Sequence, residues 1–154
     1  MISKPSIPQL LQTIKTELKE KISPALTDPT HVVAVHMMSE LLDALSIRAE
    51  NELAWMREEC DAVELAASNY VAAHPGADAV SNALAQCRDG ASGSLRLGDA
   101  QADYDRAGEL LSRLTEAAFS SGDPTDVRTV EVLVEQRLGT ELAIVGTFVA
   151  AGRE

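Results

Sequence analysis

Few residues of this chain are spaced as chemistry would require. It holds three His, two Cys and twenty-four acids in 154 residues. His36 and Glu40 lie one helical turn apart, a spacing at which two side chains can share a metal ion. His31 is five residues before His36, about 140° around a helix, so the two imidazoles do not converge. A di-iron bundle needs Glu-x-x-His on two helices, and the sequence has no such motif. His36 and Glu40 therefore read as solvated or capping groups.

Nucleophilic catalysis requires Ser or Cys beside a base that a third group orients. There is no GxSxG, and no His lies near Cys60 or Cys87 in sequence. Neither Cys belongs to a CxxC, and two in a chain of this length make no disulfide framework. Both read as small packing residues. Asp89-Gly90-Ala91-Ser92-Gly93-Ser94 is the one stretch whose backbone N–H groups could cradle an anion. It lacks the GxxxxGK[ST] spacing and reads as a loop. Paired carboxylates carry no information in so acidic a chain. No catalytic, cofactor-binding or metal-binding residue is assigned, and no cofactor is expected.

The densest charged cluster surrounds the single Trp: Arg48, Glu50, Glu52, Trp55, Arg57, Glu58 and Glu59. Trp and Arg are enriched at interface centres, so Arg48, Glu52, Trp55, Arg57 and Glu58 are the candidate interaction surface. The competing reading packs Trp55 into the core, with its N–H satisfied by a nearby acid.

The elements that must position these groups are helical. Asp28-Pro29-Thr30 is a helix start, with Asp as cap and Pro in the first turn. From it to Ala73 there is no Gly and no further Pro. Met38, Leu42, Leu45, Ala49, Leu53, Met56, Cys60, Val63, Ala67 and Tyr70 recur in threes and fours, the period of a helix burying one stripe. One straight helix over this stretch would span roughly 69 Å, far beyond a compact radius of gyration of about 15 Å. Asp61-Ala62-Val63-Glu64 has the form of a capping box. The expectation is a helix from Pro29 to about Glu59 and a second from Ala62 to Ala73, with one continuous helix as the alternative.

Before this stretch, Ser6-Ile7-Pro8-Gln9 opens an amphipathic helix of about sixteen residues, with Ile7, Leu10, Leu11, Ile14, Leu18 and Ile22 on one face. After it, His74-Pro75-Gly76 is a stop. A short helix follows from about Ala77 to Arg88, with Val80, Leu84 and Cys87 inward. The next, capped at Asp99, runs to about Ser120 with Tyr104, Ala107, Leu110, Leu111, Leu114, Ala118 and Phe119 inward. Asp123-Pro124-Thr125 repeats the Asp-Pro-Thr start. The last helix turns Val127, Val130, Leu133 or Val134, Leu138, Leu142 and Val145 inward. Glu109 with Arg113, and Arg137 with Glu141, are spaced as helical ion pairs. Gly146 to Gly152 reads as an apolar tail.

The fold predicted is all-α: an up-and-down bundle of four to five main helices plus one short helix, in a single domain over residues 1–154. Aromatics are 3% of the chain, so Leu, Ala, Val and Met must fill the core. Net charge is −11, which opposes binding to nucleic acid or an anionic membrane. No run of eighteen apolar residues and no secretory leader occur, so a cytoplasmic protein is expected. All four Lys fall in the first twenty-one residues, where they give +2 against two Glu; nine Arg against twenty-two acids give the remainder −13. The first helix should be drawn to the acidic remainder.

Lys4-Pro5-Ser6 through Gln9-Leu10-Leu11, Pro24-Ala25-Leu26, Glu52-Leu53-Ala54-Trp55-Met56-Arg57-Glu58-Glu59 and Glu141-Leu142-Ala143-Ile144-Val145-Gly146 together resemble a bacterial family of uncharacterised small helical domains. The resemblance covers nearly the whole chain. Members of that family are often encoded beside aminoglycoside-phosphotransferase-like kinases and acyl-CoA dehydrogenase-like enzymes. What it implies is an accessory role, with no catalytic residue carried over. The function expected is a non-catalytic interaction domain: a homodimer, with a kinase-like or acyl-CoA-metabolising enzyme as possible partner. The alternative is a bundle that binds a small apolar ligand such as an acyl group between its helices.

Overall fold

A computed structural model describes residues 4–145. The expectations for the Val145 side chain and for Gly146 to Gly152 lie outside the described residues. Among those residues there are five α-helices and no strand. They are α1 (Ile7–Glu17), α2 (Pro29–Ala73), α3 (Asp78–Gly90), α4 (Leu97–Ser121) and α5 (Pro124–Val145). A π-helical turn (Leu18–Ile22) and a 3-10 turn (Ser23–Ala25) prolong α1. The chain is an all-α helical bundle.

The two Asp-Pro-Thr starts behave alike. Asp28 Oδ1 accepts the Thr30 N–H at 2.8 Å, and Asp123 Oδ1 accepts the Thr125 N–H at 2.7 Å. Each carboxylate thus satisfies a donor of the first turn, which no intrahelical carbonyl can reach. Gln9 Oε1 likewise accepts the Ser6 N–H at 2.8 Å in the capping box of α1. At the end of α4, Gly122 takes φ +69°, a left-handed cap that costs a side-chain-bearing residue more.

The break expected near Asp61 does not form. α2 is one helix of 45 residues, with no Gly or Pro to interrupt it. Asp61 is exposed within it. Glu64, which a cap would have turned back to Asp61, instead accepts Arg88 Nε at 2.7 Å from α3. α3 runs two residues beyond Arg88. The α4 helix starts at Leu97 rather than Asp99, which lies in its first turn, where negative charge suits the helix dipole.

The chain divides into two compact units, residues 53–140 and residues 1–52 with 141–154. In the first, four helical segments share one core: Val63, Ala67 and Tyr70 of α2; Val80, Leu84 and Cys87 of α3; Ala107, Leu110, Leu111, Leu114 and Ala118 of α4; Val130 and Leu133 of α5. Spacings of three and four put these side chains on one stripe of each helix. Phe119 was expected inward, but it is 60% exposed, because Ala118 holds the stripe and Phe119 stands about 100° round. Leu138 and Leu142 are also exposed, since the buried stripe of α5 ends at Leu133.

The other unit is differently made. Its buried residues among those described are Val35, Ser39 and Ser46, and none lies on α1. Lys15 ion-pairs with Asp43, and Gln12 Nε2 donates to the same carboxylate at 3.5 Å, fastening α1 to α2. Ile7, Leu10, Ile14 and Ile22 remain substantially exposed, as do six large apolar side chains between Val32 and Leu45.

Candidate functional site

Asp103 is the one charged residue on the inner stripe of α4, between Ala100 and Ala107. Only 6% of it is exposed. Its Oδ1 accepts the Ser92 N–H at 3.0 Å and Arg106 Nη2. Its Oδ2 accepts the Ser92 hydroxyl at 2.8 Å and Arg57 Nη1 at 3.0 Å. Four donors fill the lone pairs that a carboxylate offers. Burial alone would push this carboxyl up; the Ser92 amide and hydroxyl, then Arg106 and Arg57, outweigh it and hold the group below the ordinary 3.8. A carboxylate so occupied has no lone pair left with which to act as a base.

The same two guanidinium groups hold the loop between α3 and α4. Arg57 Nη2 donates to the Ser94 carbonyl, and Arg106 Nη2 to the Gly90 carbonyl at 2.7 Å. The Gly-rich stretch is therefore a clamped connection, built around a buried anion. Gly90 is needed here for space. A Cβ on it would lie 2.6 Å from Arg106 Nε and 2.8 Å from Cδ, and Arg106 is not free to swing away. Gly90→Ala is expected to lower stability by about 1 kcal/mol, the clash outweighing the better helix propensity of Ala. In an Arg106→Ala background that loss should vanish or reverse. Urea unfolding of the four proteins measures it.

A second polar junction joins three helices. Glu59 Oε2 accepts the Tyr104 hydroxyl at 2.9 Å, its Oε1 lies 3.6 Å from Arg137 Nε, and the Arg137 guanidinium sits 5.1 Å over the Tyr104 ring. A third holds His74, Asp126 and Ser121. His74 Nε2 is 2.9 Å from Asp126 Oδ2, and Ser121 Oγ is 3.4 Å from the same oxygen. The Tyr70 ring stacks on His74 with centroids 4.3 Å apart. In a nucleophilic triad the imidazole stands between hydroxyl and carboxylate. Here the carboxylate stands in the middle, so His74 is not placed to take the Ser121 proton through it.

The thiols are equally unsuited to chemistry. Burial, with Cys87 and Asp103 as further contributors, raises Cys60 to about 11. Burial, with Glu64, also raises Cys87. Both thus stay protonated at neutral pH, and the thiol is a far weaker nucleophile than the thiolate. Iodoacetamide at pH 7.5 should label the folded protein at least about tenfold more slowly than the urea-unfolded one, as read by intact mass. Equal rates would contradict this environment.

The residues of the charged cluster part company. Arg48 pairs with Glu52. Arg57 is committed to Asp103 and Ser94. Glu58 is exposed and Trp55 half-buried. His36 and Glu40 are both exposed on α2. Among the described residues, no group of three or more His, Cys, Asp or Glu is placed to hold a metal. What sequence reasoning missed was Asp103, and its signal was present: an acid at the i+3 position of an otherwise apolar stripe.

A surface groove of about 730 Å³ lies between α2 and α5 within residues 53–140. Ala62, Leu65, Ala66, Val132 and Leu133 form much of its lining, with Arg128 at its polar side. Arg128 is tied to Glu131 at 3.1 Å and Glu135 at 3.3 Å. The chain matches no protein-family model, no curated protein and no solved structure.

Proposed function

We propose that this chain is a non-catalytic helical interaction protein, with residues 53–140 as its stable body and the N-terminal unit as its contact surface. The observation carrying this reading is the exposure of ten large apolar side chains on residues 7–45. From residue 7 to residue 52 only Val35, Ser39 and Ser46 are buried, and two of those are polar. Exposed apolar side chains in such number mark a binding site, and residues 53–140 by contrast bury one shared core. The buried and half-buried polar groups support the same reading, since Asp103, Glu59 and His74 are each engaged in holding elements of residues 53–140 together. Free thiols at Cys60 and Cys87 suit a reducing, cytoplasmic setting. The resemblance to small bacterial helical domains makes a kinase-like or acyl-CoA-metabolising enzyme the heterologous partner to test.

The test is the size of the particle in extract of cells expressing the chain. The wild type is expected to elute well above the 16.4 kDa chain mass, and Met37→Glu/Leu41→Glu at that mass. A wild-type chain eluting at 16.4 kDa in extract would refute the reading.

The α2/α5 groove favours a second reading, an apolar-ligand site. Its volume falls in the ordinary range for small-molecule sites. Binding of a fluorescent acyl probe, lost in Ala66→Trp, would support it. Unaltered probe emission at saturating protein would remove it.

A further inference from the structure

Going beyond the N-terminal contact surface but resting on the interaction reading above, we propose that the α2/α5 groove is a second docking site, which takes a basic amphipathic helix of a partner protein. The groove runs along two helices. Ala62, Leu65, Ala66 and Asn69 of α2 line one side, and residues from Thr125 to Gln136 of α5 line the other, at steps of three and four on each. They cover about two turns of α2 and three of α5, about 10–16 Å. That is the footprint of the i, i+3, i+4 and i+7 anchors of a docked helix. Ala62 and Ala66 are small enough to let a ridge of side chains settle between the helices. The groove is open: Leu65 is 64% exposed, and Asn69 and Gln136 are exposed. A small-molecule site encloses most of its ligand. An amphipathic helix needs only one face covered, and its other face stays in water.

Charge decides which helix. Of the lining residues only Arg128 is charged, and carboxylates border it. Glu131 and Glu135 lie 3.1 and 3.3 Å from the Arg128 guanidinium and outnumber it. Asp123 Oδ1 accepts the Thr125 N–H at one end. Glu58 and Asp61, both exposed, stand one turn before Ala62 and Leu65 on the same side of α2. Five acids against one cation leave this border at net −4, within a unit of seven cations and fifteen acids, net −8. Lys or Arg flanking an apolar stripe would meet carboxylates on both helices. An acidic helix, or the carboxylate of a fatty acid, would meet like charge, because Arg128 is already held by two carboxylates.

Fluorescence anisotropy of a labelled Leu/Lys peptide of about four helical turns, titrated with the purified full chain, tests this. Leu occupies its i, i+3, i+4 and i+7 positions. The peptide is expected to bind, more weakly as salt rises, and the same peptide with Glu in place of Lys is expected not to bind. Leu65→Lys and, separately, Glu131→Gln/Glu135→Gln should each raise the dissociation constant at least about tenfold, with unchanged helicity by circular dichroism. Glu109→Gln/Glu116→Gln, an equal charge change on α4, should leave it within about twofold, as should Met37→Glu/Leu41→Glu, which disables the N-terminal surface. A wild-type chain that does not bind the Leu/Lys peptide overturns the inference. So does binding that Leu65→Lys leaves unchanged, or that the α4 pair weakens as much as the α5 pair, since attraction to net charge alone would do that. A groove that takes the fluorescent acyl probe but not the peptide overturns it in favour of the second reading. The N-terminal surface stands or falls separately, on the size of the particle in extract.

Discussion

Asp103→Asn is expected to lower the unfolding free energy by about 3 kcal/mol, measured by urea unfolding at pH 7. The amide keeps the shape but not the charge, and its NH₂ faces donors. Arg57 and Arg106 then lose their anion, and the Ser92 amide and hydroxyl contend with a donor where an acceptor stood. Removing one member of a buried pair costs more than the pair is worth, because the remaining charge stays desolvated. The loop from Ala91 to Arg96 loses its anchor in the same step.

The pH dependence has a definite sign. The folded Asp103 carboxyl lies below its ordinary 3.8. A group depressed on folding binds fewer protons folded than unfolded around that pH. Its contribution is therefore complete above about pH 4–5, and is lost as pH falls through the folded value, below 3.8. The stability gap between wild type and Asp103→Asn should be widest near neutrality and shrink below pH 3.8. A gap that holds constant to pH 2.5 would mean that Asp103 contributes packing rather than charge.

Leu110→Ala is expected to cost about 3 kcal/mol, while Leu138→Ala should cost under about 0.5 kcal/mol. Both are Leu on apolar stripes predicted to point inward. Leu110 is wholly buried among the helices of residues 53–140, whereas Leu138 is 53% exposed. Truncating the first leaves a cavity that close-packed neighbours fill only in part. Truncating the second removes a side chain already half in water. Comparable losses for the two would mean that Leu138 is covered in solution, on a face where nothing described here covers it.

The helices and most of the core were legible because caps and periodicity are local. Asp28, Asp123, Ser6 and Gly122 act within a few residues of themselves, and Val80, Leu84, Cys87, Leu110 and Leu114 obey the 3.6-residue period. The failures have one cause. Whether Glu64 turns back to Asp61 or across to Arg88 depends on a helix 24 residues away in sequence. Whether Leu138 and Phe119 are core depends on where a neighbouring helix ends. Asp103 was hidden for the same reason, since its partners Arg57 and Ser92 come from other elements. The cluster around Trp55 looked like one surface because its members adjoin in sequence, but Arg57 is drawn inward by a carboxylate 46 residues on.

The most direct test of the account is hydrogen exchange on the purified full chain at low concentration. Amides of residues 63–87 and 107–133, backed by the shared core, should be protected. Amides of residues 7–22 and 32–45, where few side chains are buried, should exchange at least about tenfold faster. Protection of residues 7–45 that equals that of the core would contradict the account: the N-terminal unit would then be stable by itself, and its apolar face would need no partner.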